Sequence, residues 1–138
     1  MTFSLGQPQD VYFSVPGVAN VRWDDLHKTV FVEWEGWANT AEFNALLDAE
    51  VRALQDHAGS CLLADCRRQR ALNPADQERA NREWVPKAIA AGLERFAIVL
   101  PVSDLAAAHL RSRLETAPET LQVEYFGSVD EAREWIAR

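Results

Sequence analysis

Asp65, Cys66, Arg67, Arg68 and Arg70 fall within six positions of a chain that is otherwise acidic. A carboxylate, a thiol and three guanidiniums this close offer two kinds of chemistry. Arginine presents a planar fork of donors that grips carboxylates and phosphates, so the stretch can hold an anion or an acidic segment of a partner. Neighbouring arginines also favour the thiolate form of cysteine, so Asp65, Arg67 and Cys66 are the residues an enzyme would use here. The plainer alternative has Asp65 ordering its own loop by accepting bonds from the backbone or from Arg67, while the arginines face water.

Two tryptophans complete the candidate binding set of Asp65, Arg67, Arg68, Arg70, Trp84 and Trp37. Trp37 lies in a loop beside Gly36, and Trp84 precedes Pro86. An exposed tryptophan is a common interface anchor, and core packing is the competing role for both. Nothing else converges on catalysis. His27, His57 and His109 fall in different elements and have no metal-ligand spacing, so each is expected at the surface. Cys61 and Cys66 are too far apart for a CxxC pair and read as buried or semi-buried thiols. There is no GxSxG elbow and no glycine-rich phosphate loop. The sequence therefore predicts no catalytic residue set, no metal and no cofactor.

The elements that must position these residues alternate along the chain. Residues 1–19 carry Gly6, Pro8, Pro16 and Gly17 and read as an irregular lead-in, in which Val11 to Val15 also fits a short edge strand. Residues 20–138 form one domain. Val21–Trp23 and Thr29–Trp34, joined by the polar turn Asp24–Lys28, predict an antiparallel hairpin. Asn39 and Glu42 have capping-box spacing, and Phe43, Leu46, Leu47, Val51 and Leu54 form the apolar stripe of a helix ending near His57.

Cys61–Ala64 and Phe96–Leu100 are unbroken apolar runs, the signature of strands buried on both faces of a parallel sheet. Between them Asn73 caps a helix with Pro74 at its first position, which Pro86 should kink or split before Gly92. Ser103 starts a third helix with Ala106, Ala107, Leu110 and Leu114 inward. Leu121–Phe126 is a strand near an edge, and Ser128 with Glu131 opens a last helix. Strands alternating with helices give an α/β fold: a mixed sheet, N-terminal hairpin plus parallel core strands, packed by about four helices.

In that order, "FVEWEGWANTAEF" (31–43), "LLADCR" (62–67), the strand Glu94–Val99 and "EYFGSVDEAREWI" (124–136) resemble the STAS-domain, SpoIIAA-like proteins, and among them a bacterial subset of unknown function. The likeness runs from about Val21 to Ile136. It implies a small sheet packed by helices that serves as a partner-binding or ligand-binding module. The best-known members are switched by phosphorylation of a Ser or Thr near the start of the helix after the "LLAD" strand. Here that start reads Leu72-Asn73-Pro74-Ala75-Asp76, and no Ser, Thr or Tyr occurs between Ser60 and Ser103. The switch cannot operate at that position. Asp76 is either a permanent charge in its place or a first-turn acid favouring the helix dipole.

Composition sets the remaining limits. The 138 residues suit one domain, with 48% apolar and 25% charged residues. Fourteen basic against 21 acidic residues give a net charge of −7, which disfavours nucleic acid and anionic membrane surfaces. No apolar run approaches the roughly 20 residues of a membrane span. The polar start, Met1–Asp10, lacks the plan of a signal peptide, so the cytoplasm is the expected compartment.

The expected function is a non-catalytic binding or regulatory module lacking the phosphorylatable residue. A carrier of a small apolar ligand is the alternative, favoured by a pocket near Trp84, Pro86 and Phe96; an enzyme using Asp65, Arg67 and Cys66 is a further one. The expected partner is a protein or a second copy of the chain. Five tryptophans and an exposed strand at Val21 or Val11 point to a homo-oligomer. Light scattering at micromolar concentration checks this: the expected mass is a multiple of 15.5 kDa, and a monomer mass refutes it.

Overall fold

The computed structural model describes residues 9–70, 73–113 and 117–138. Six strands pair in the order in which the chain makes them: β1 (Gln9–Val15), β2 (Ala19–Asp24), β3 (Thr29–Trp34), β4 (Cys61–Asp65), β5 (Arg95–Val99) and β6 (Gln122–Phe126). The first three are antiparallel, and β3 to β6 are parallel. The lead-in thus contributes a full edge strand, and the boundary at residues 19 and 20 falls inside the first hairpin. Val21, expected at an exposed edge, is buried in β2 between two hydrogen-bonded neighbours. The outer strand β1 carries a bulge between Val11 and Phe13, an irregularity that blunts an edge against pairing with a second copy.

Because the strand order never reverses, right-handed crossovers put every connecting helix on the same face. Those helices are α1 (Thr40–His57), a continuous helix over 74–90, and α4 (Asp104–Arg113). Val30, Val32, Trp34, Leu62, Ala64, Phe96 and Ile98 project into that layer and meet Phe43, Leu46, Leu54, Trp84, Ala88 and Leu110. Only α5 (Val129–Ala137), which connects to no further strand, is left for the other face. There Phe31, Leu63, Ala97 and Val99 meet Ala132, with Phe126, Trp135 and Ile136 packed beside them. The unbroken apolar runs of β4 and β5 follow from this burial on both sides.

The caps read from the sequence form. The Asn39 side chain accepts the Glu42 N–H at 2.8 Å, and Glu42 accepts the Asn39 N–H at 3.0 Å. Helix α1 ends at His57, as expected, and Ala58 after it takes the left-handed conformation, φ 50°. Gly59 is needed for space instead, since a Cβ there would lie 3.0 Å from the Trp23 ring. The Pro86 helix runs on without splitting. It consists of α2 (Pro74–Arg79), a π turn over Ala80–Trp84 and α3 (Val85–Ala90). The Val85 N–H reaches back to the Ala80 carbonyl, a wide turn placed where proline would otherwise crowd the carbonyl of Arg82. Leu72 and Leu114 lie outside the described residues, as do Met1–Pro8.

Asp24, expected in a polar turn, is the last residue of β2 and only 1% exposed. Its Oδ1 accepts the N–H groups of Leu26 and His27, shaping the turn. Its Oδ2 meets His27 Nδ1 at 2.7 Å and accepts from Arg133 Nη1 of α5 at 2.8 Å. His27 is exposed, as expected, and from the surface it partners a buried acid. Arg133 also lies over the Phe31 ring at 5.1 Å, opposite Arg22 at 4.9 Å. At the far end of α5, Arg95 Nη1 donates to the carbonyls of Trp135 and Ile136, at 2.8 and 3.3 Å. Burial pushes the Asp24 carboxyl up, but the hydrogen bonds from His27 and Arg133 outweigh it and hold the group below the usual carboxylate range.

Removing one partner of a buried pair strands the other, so Arg133→Ala is expected to cost about 3 kcal/mol in urea unfolding at neutral pH. A carboxyl depressed in the folded state contributes stability above its unfolded pKa of about 3.9, and that contribution fades as pH falls through the lower folded value. The difference between Arg133→Ala and wild type is therefore expected to shrink below about pH 4. A difference that stays level with pH would show that Arg133 acts through packing on Phe31.

Candidate binding cleft at the carboxyl ends of the strands

Asp65 closes β4 and is 4% exposed, so its charge needs partners within the loop that follows. Arg67 supplies them. Its Nε donates to Oδ1 at 2.9 Å, its Nη2 to Oδ2 at 2.8 Å, and its backbone N–H to Oδ1 at 3.2 Å. The forked pair turns Arg67 back toward its own strand, as the plainer reading of this stretch has it. Burial raises the Asp65 carboxyl; the Arg67 side-chain and backbone bonds, with the charge of Arg67 and Arg68, bring it below its ordinary value. The same contact raises the Arg67 guanidinium. Yet the Arg67 side chain remains 48% exposed, and its outer edge borders a cleft.

That cleft, about 430 Å³, opens between the ends of β4, β5 and β6 and the start of α4. Leu100, Pro101, Val102 and Ala107 give it an apolar wall, while Arg67, Asp104 and Arg111 add charge and Gly127 closes one side. Arg111 lies over the Tyr125 ring at 5.8 Å, and the Tyr125 hydroxyl donates to the Arg111 carbonyl at 3.4 Å. Val102 is 90% and Leu105 69% exposed at the rim. Sequence patterning missed Val102, Asp104, Leu105 and Arg111. The available signal was Leu105, an apolar residue off the inward stripe of α4, and Val102, an apolar residue in the loop before it.

The remaining expected residues of this end stand nearby along the strand ends. Trp37 is 52% exposed, in the loop after β3. That loop is fixed by the approach of Gly36 to Gly17, where a Cβ would lie 2.4 Å from the Gly17 carbonyl oxygen. The Arg70 N–H donates to the Gly36 carbonyl at 3.1 Å, tying the loops after β3 and β4 together. Arg68 Nη2 lies 3.9 Å from Glu33, and both Arg68 and Arg70 are exposed.

Other candidates belong to the core. Trp84 is 4% exposed, donates from Nε1 to the Leu47 carbonyl at 3.2 Å and meets Phe96 edge-on at 5.8 Å, so it is a packing residue and leaves the binding set. The interior space bordered by Trp34, Phe43, Cys66, Phe96 and Leu110 is about 20 Å³, room for one water molecule. Cys66 is 3% exposed within that core, below the loop rather than facing the cleft. His57 is half-buried, its ring stacked on Trp23 at 4.3 Å. The side chain of His109 lies outside the described residues. Asp76 is buried, accepting from the Thr40 hydroxyl at 2.9 Å and from Arg79 Nη2 at 2.9 Å. It joins α2 to the start of α1, so it presents no charge to a partner.

A singly wound mixed sheet with three crossover helices on one face and one helix on the other defines a SpoIIAA-like α/β fold. The same fold occurs in an uncharacterized protein of the DUF3478 family from Shewanella loihica PV-4, described as SpoIIAA-like, with a TM-score of 0.58. That alignment covers 90% of this chain and 98% of the other at 14% sequence identity, a likeness of fold. No protein-family model matches the chain, and no curated protein matches it significantly. Among the described residues, no helix is long and apolar enough to cross a membrane.

Arg67→Ala leaves a buried carboxylate with backbone partners alone, so the expected loss is about 2 kcal/mol, or several degrees in thermal midpoint. An outward Arg67 would instead leave stability within about 1 kcal/mol. Asp65 is depressed in the folded state, so its contribution is present above its unfolded pKa and disappears as pH falls through the folded one. Melts across the acid range are expected to show the two proteins converging below about pH 4.

Proposed function

We propose that this chain is a non-catalytic binding module whose partner is another protein, docked at the carboxyl end of the sheet. The observation that carries the reading is the convergence at one end of the molecule of exposed apolar side chains, Trp37, Val102 and Leu105, with the charged cleft of Arg67 and Arg111. Apolar anchors beside arginines are the composition of interface centres. The pair of hydrogen bonds from Arg67 to Asp65 supports it further, because a side chain ordered before binding loses less entropy on binding.

The alternatives draw less support. A carrier of an apolar molecule needs an enclosed cavity of several hundred Å³, and the interior space near Phe96 is about 20 Å³. An enzyme using Cys66 needs its thiol accessible, and Cys66 is 3% exposed. At the position where related proteins are switched, Asn73 caps α2 through the Ala75 N–H at 2.8 Å and Asp76 is buried, so regulation by phosphate at that helix start has no acceptor.

A photo-reactive amino acid at position 102 tests the reading, with position 26 as control. Val102 and Leu26 are both highly exposed apolar residues, at opposite ends of the sheet. Illumination in the source cells is expected to give discrete protein adducts from position 102 and none from position 26. Adducts from position 26 alone, or from neither, would refute docking at this end.

A further inference from the structure

We propose that the cleft grips one acidic side chain of an extended partner segment between Arg67 and Arg111, while an apolar neighbour in that segment covers Val102 and Leu105. This rests on the reading above and specifies the partner. Two arginines reach one cleft of about 430 Å³ from different elements, Arg67 from the loop after β4 and Arg111 from α4. Both are placed by their guanidiniums: Arg67 donates Nε and Nη2 to the Asp65 carboxylate, and Arg111 lies over the Tyr125 ring. The Nη1 of Arg67, not used by Asp65, and the guanidinium of Arg111 supply the donors a carboxylate in the cleft would meet.

Charge selects the partner's sign. The chain is −7 overall, yet Arg67, Arg68, Arg70 and Arg111 stand at this end, their charge offset in part by Asp65, Glu33 and Asp104. Taken together the rest of the surface carries the acidic excess, so this end repels an acidic segment least. Asp104 lines the same cleft. It opposes a second carboxylate and a doubly charged phosphate, which narrows the occupant to a single Asp or Glu side chain. The exposed rim decides between a small carboxylate and a protein. Val102, on the cleft wall at 90% exposure, and Leu105, three residues on at 69%, would be left wet by a free small acid and covered by an adjoining apolar residue.

The probes are fluorescein-labelled peptides: a central glutamate flanked by leucines in a Gly/Ser background, the same peptide with glutamine for glutamate, and the same peptide with serine for the leucines. Anisotropy against the full chain is expected to show the Glu/Leu peptide binding tightest, with a loss of about tenfold or more for either replacement. Arg111→Ala is expected to weaken it about tenfold with the thermal midpoint unchanged, and Val102→Ser to weaken it less, while added salt weakens only the peptides carrying glutamate. Amide resonance mapping locates each peptide. If the glutamine peptide binds equally and still shifts residues 100–105, the acidic partner is wrong and the docking surface stands. If the serine peptide binds equally, the apolar half is wrong. If no peptide shifts this end of the sheet, the surface fails and the proposal with it.

Discussion

The Asp24 carboxylate, almost wholly withdrawn from water, must be answered by donors, and those donors come from both ends of the chain. Its own turn gives two backbone N–H groups and His27, and α5 gives Arg133, 109 residues away in sequence. An isolated buried charge is too costly to persist, so the hairpin turn and the last helix are bound to one another. This link matters because α5 connects to no later strand. The crossovers fix the other helices on one face by chirality alone, whereas α5 is held on its face by packing, by Arg133 at one end and by Arg95 at the other.

A second buried carboxylate does corresponding work at the opposite end. Asp65 orders the loop after β4 through Arg67, as Asp24 orders the turn after β2. Both carboxyls lie below their ordinary range for the same reason: guanidinium or imidazole partners and backbone N–H bonds outweigh the penalty of burial. The consequence for function lies in rigidity. A loop pinned at Asp65, and tied through Arg70 to the loop of Trp37, presents its outer arginines from a defined place. The cleft is therefore bounded by side chains whose positions are set before anything binds.

The 14% identity to a protein with the same fold has a physical basis. What the two must share is apolar strands of suitable length, capped helices and a strand order with one-sided crossovers, and many sequences satisfy those demands. Surface residues at the strand ends are free of them. The residues proposed to meet a partner, Arg67, Arg111, Val102 and Leu105, are drawn from that freer set, so a shared fold carries no information about a shared partner.

Much of the fold was legible in the sequence because it rests on local rules. Asn39 with Glu42, Ser128 with Glu131, and the apolar runs of β4 and β5 all report their structure within a few residues. Asp65 and Arg67 were legible for the same reason, lying two positions apart. Trp84, Asp24 and Asp76 were not, since their surroundings come from distant segments: Leu47 and Phe96 for the first, Arg133 for the second, Thr40 for the third. Strand composition specifies that a residue prefers burial, but the chain brings together the partners that make burial tolerable for a charge only on folding. The sequence by itself determined the elements, their order and the basic loop after β4. The tertiary structure alone decided which of those charges turn inward and which remain at a cleft, because that depends on donors that meet only when the sheet and its two helical layers have closed.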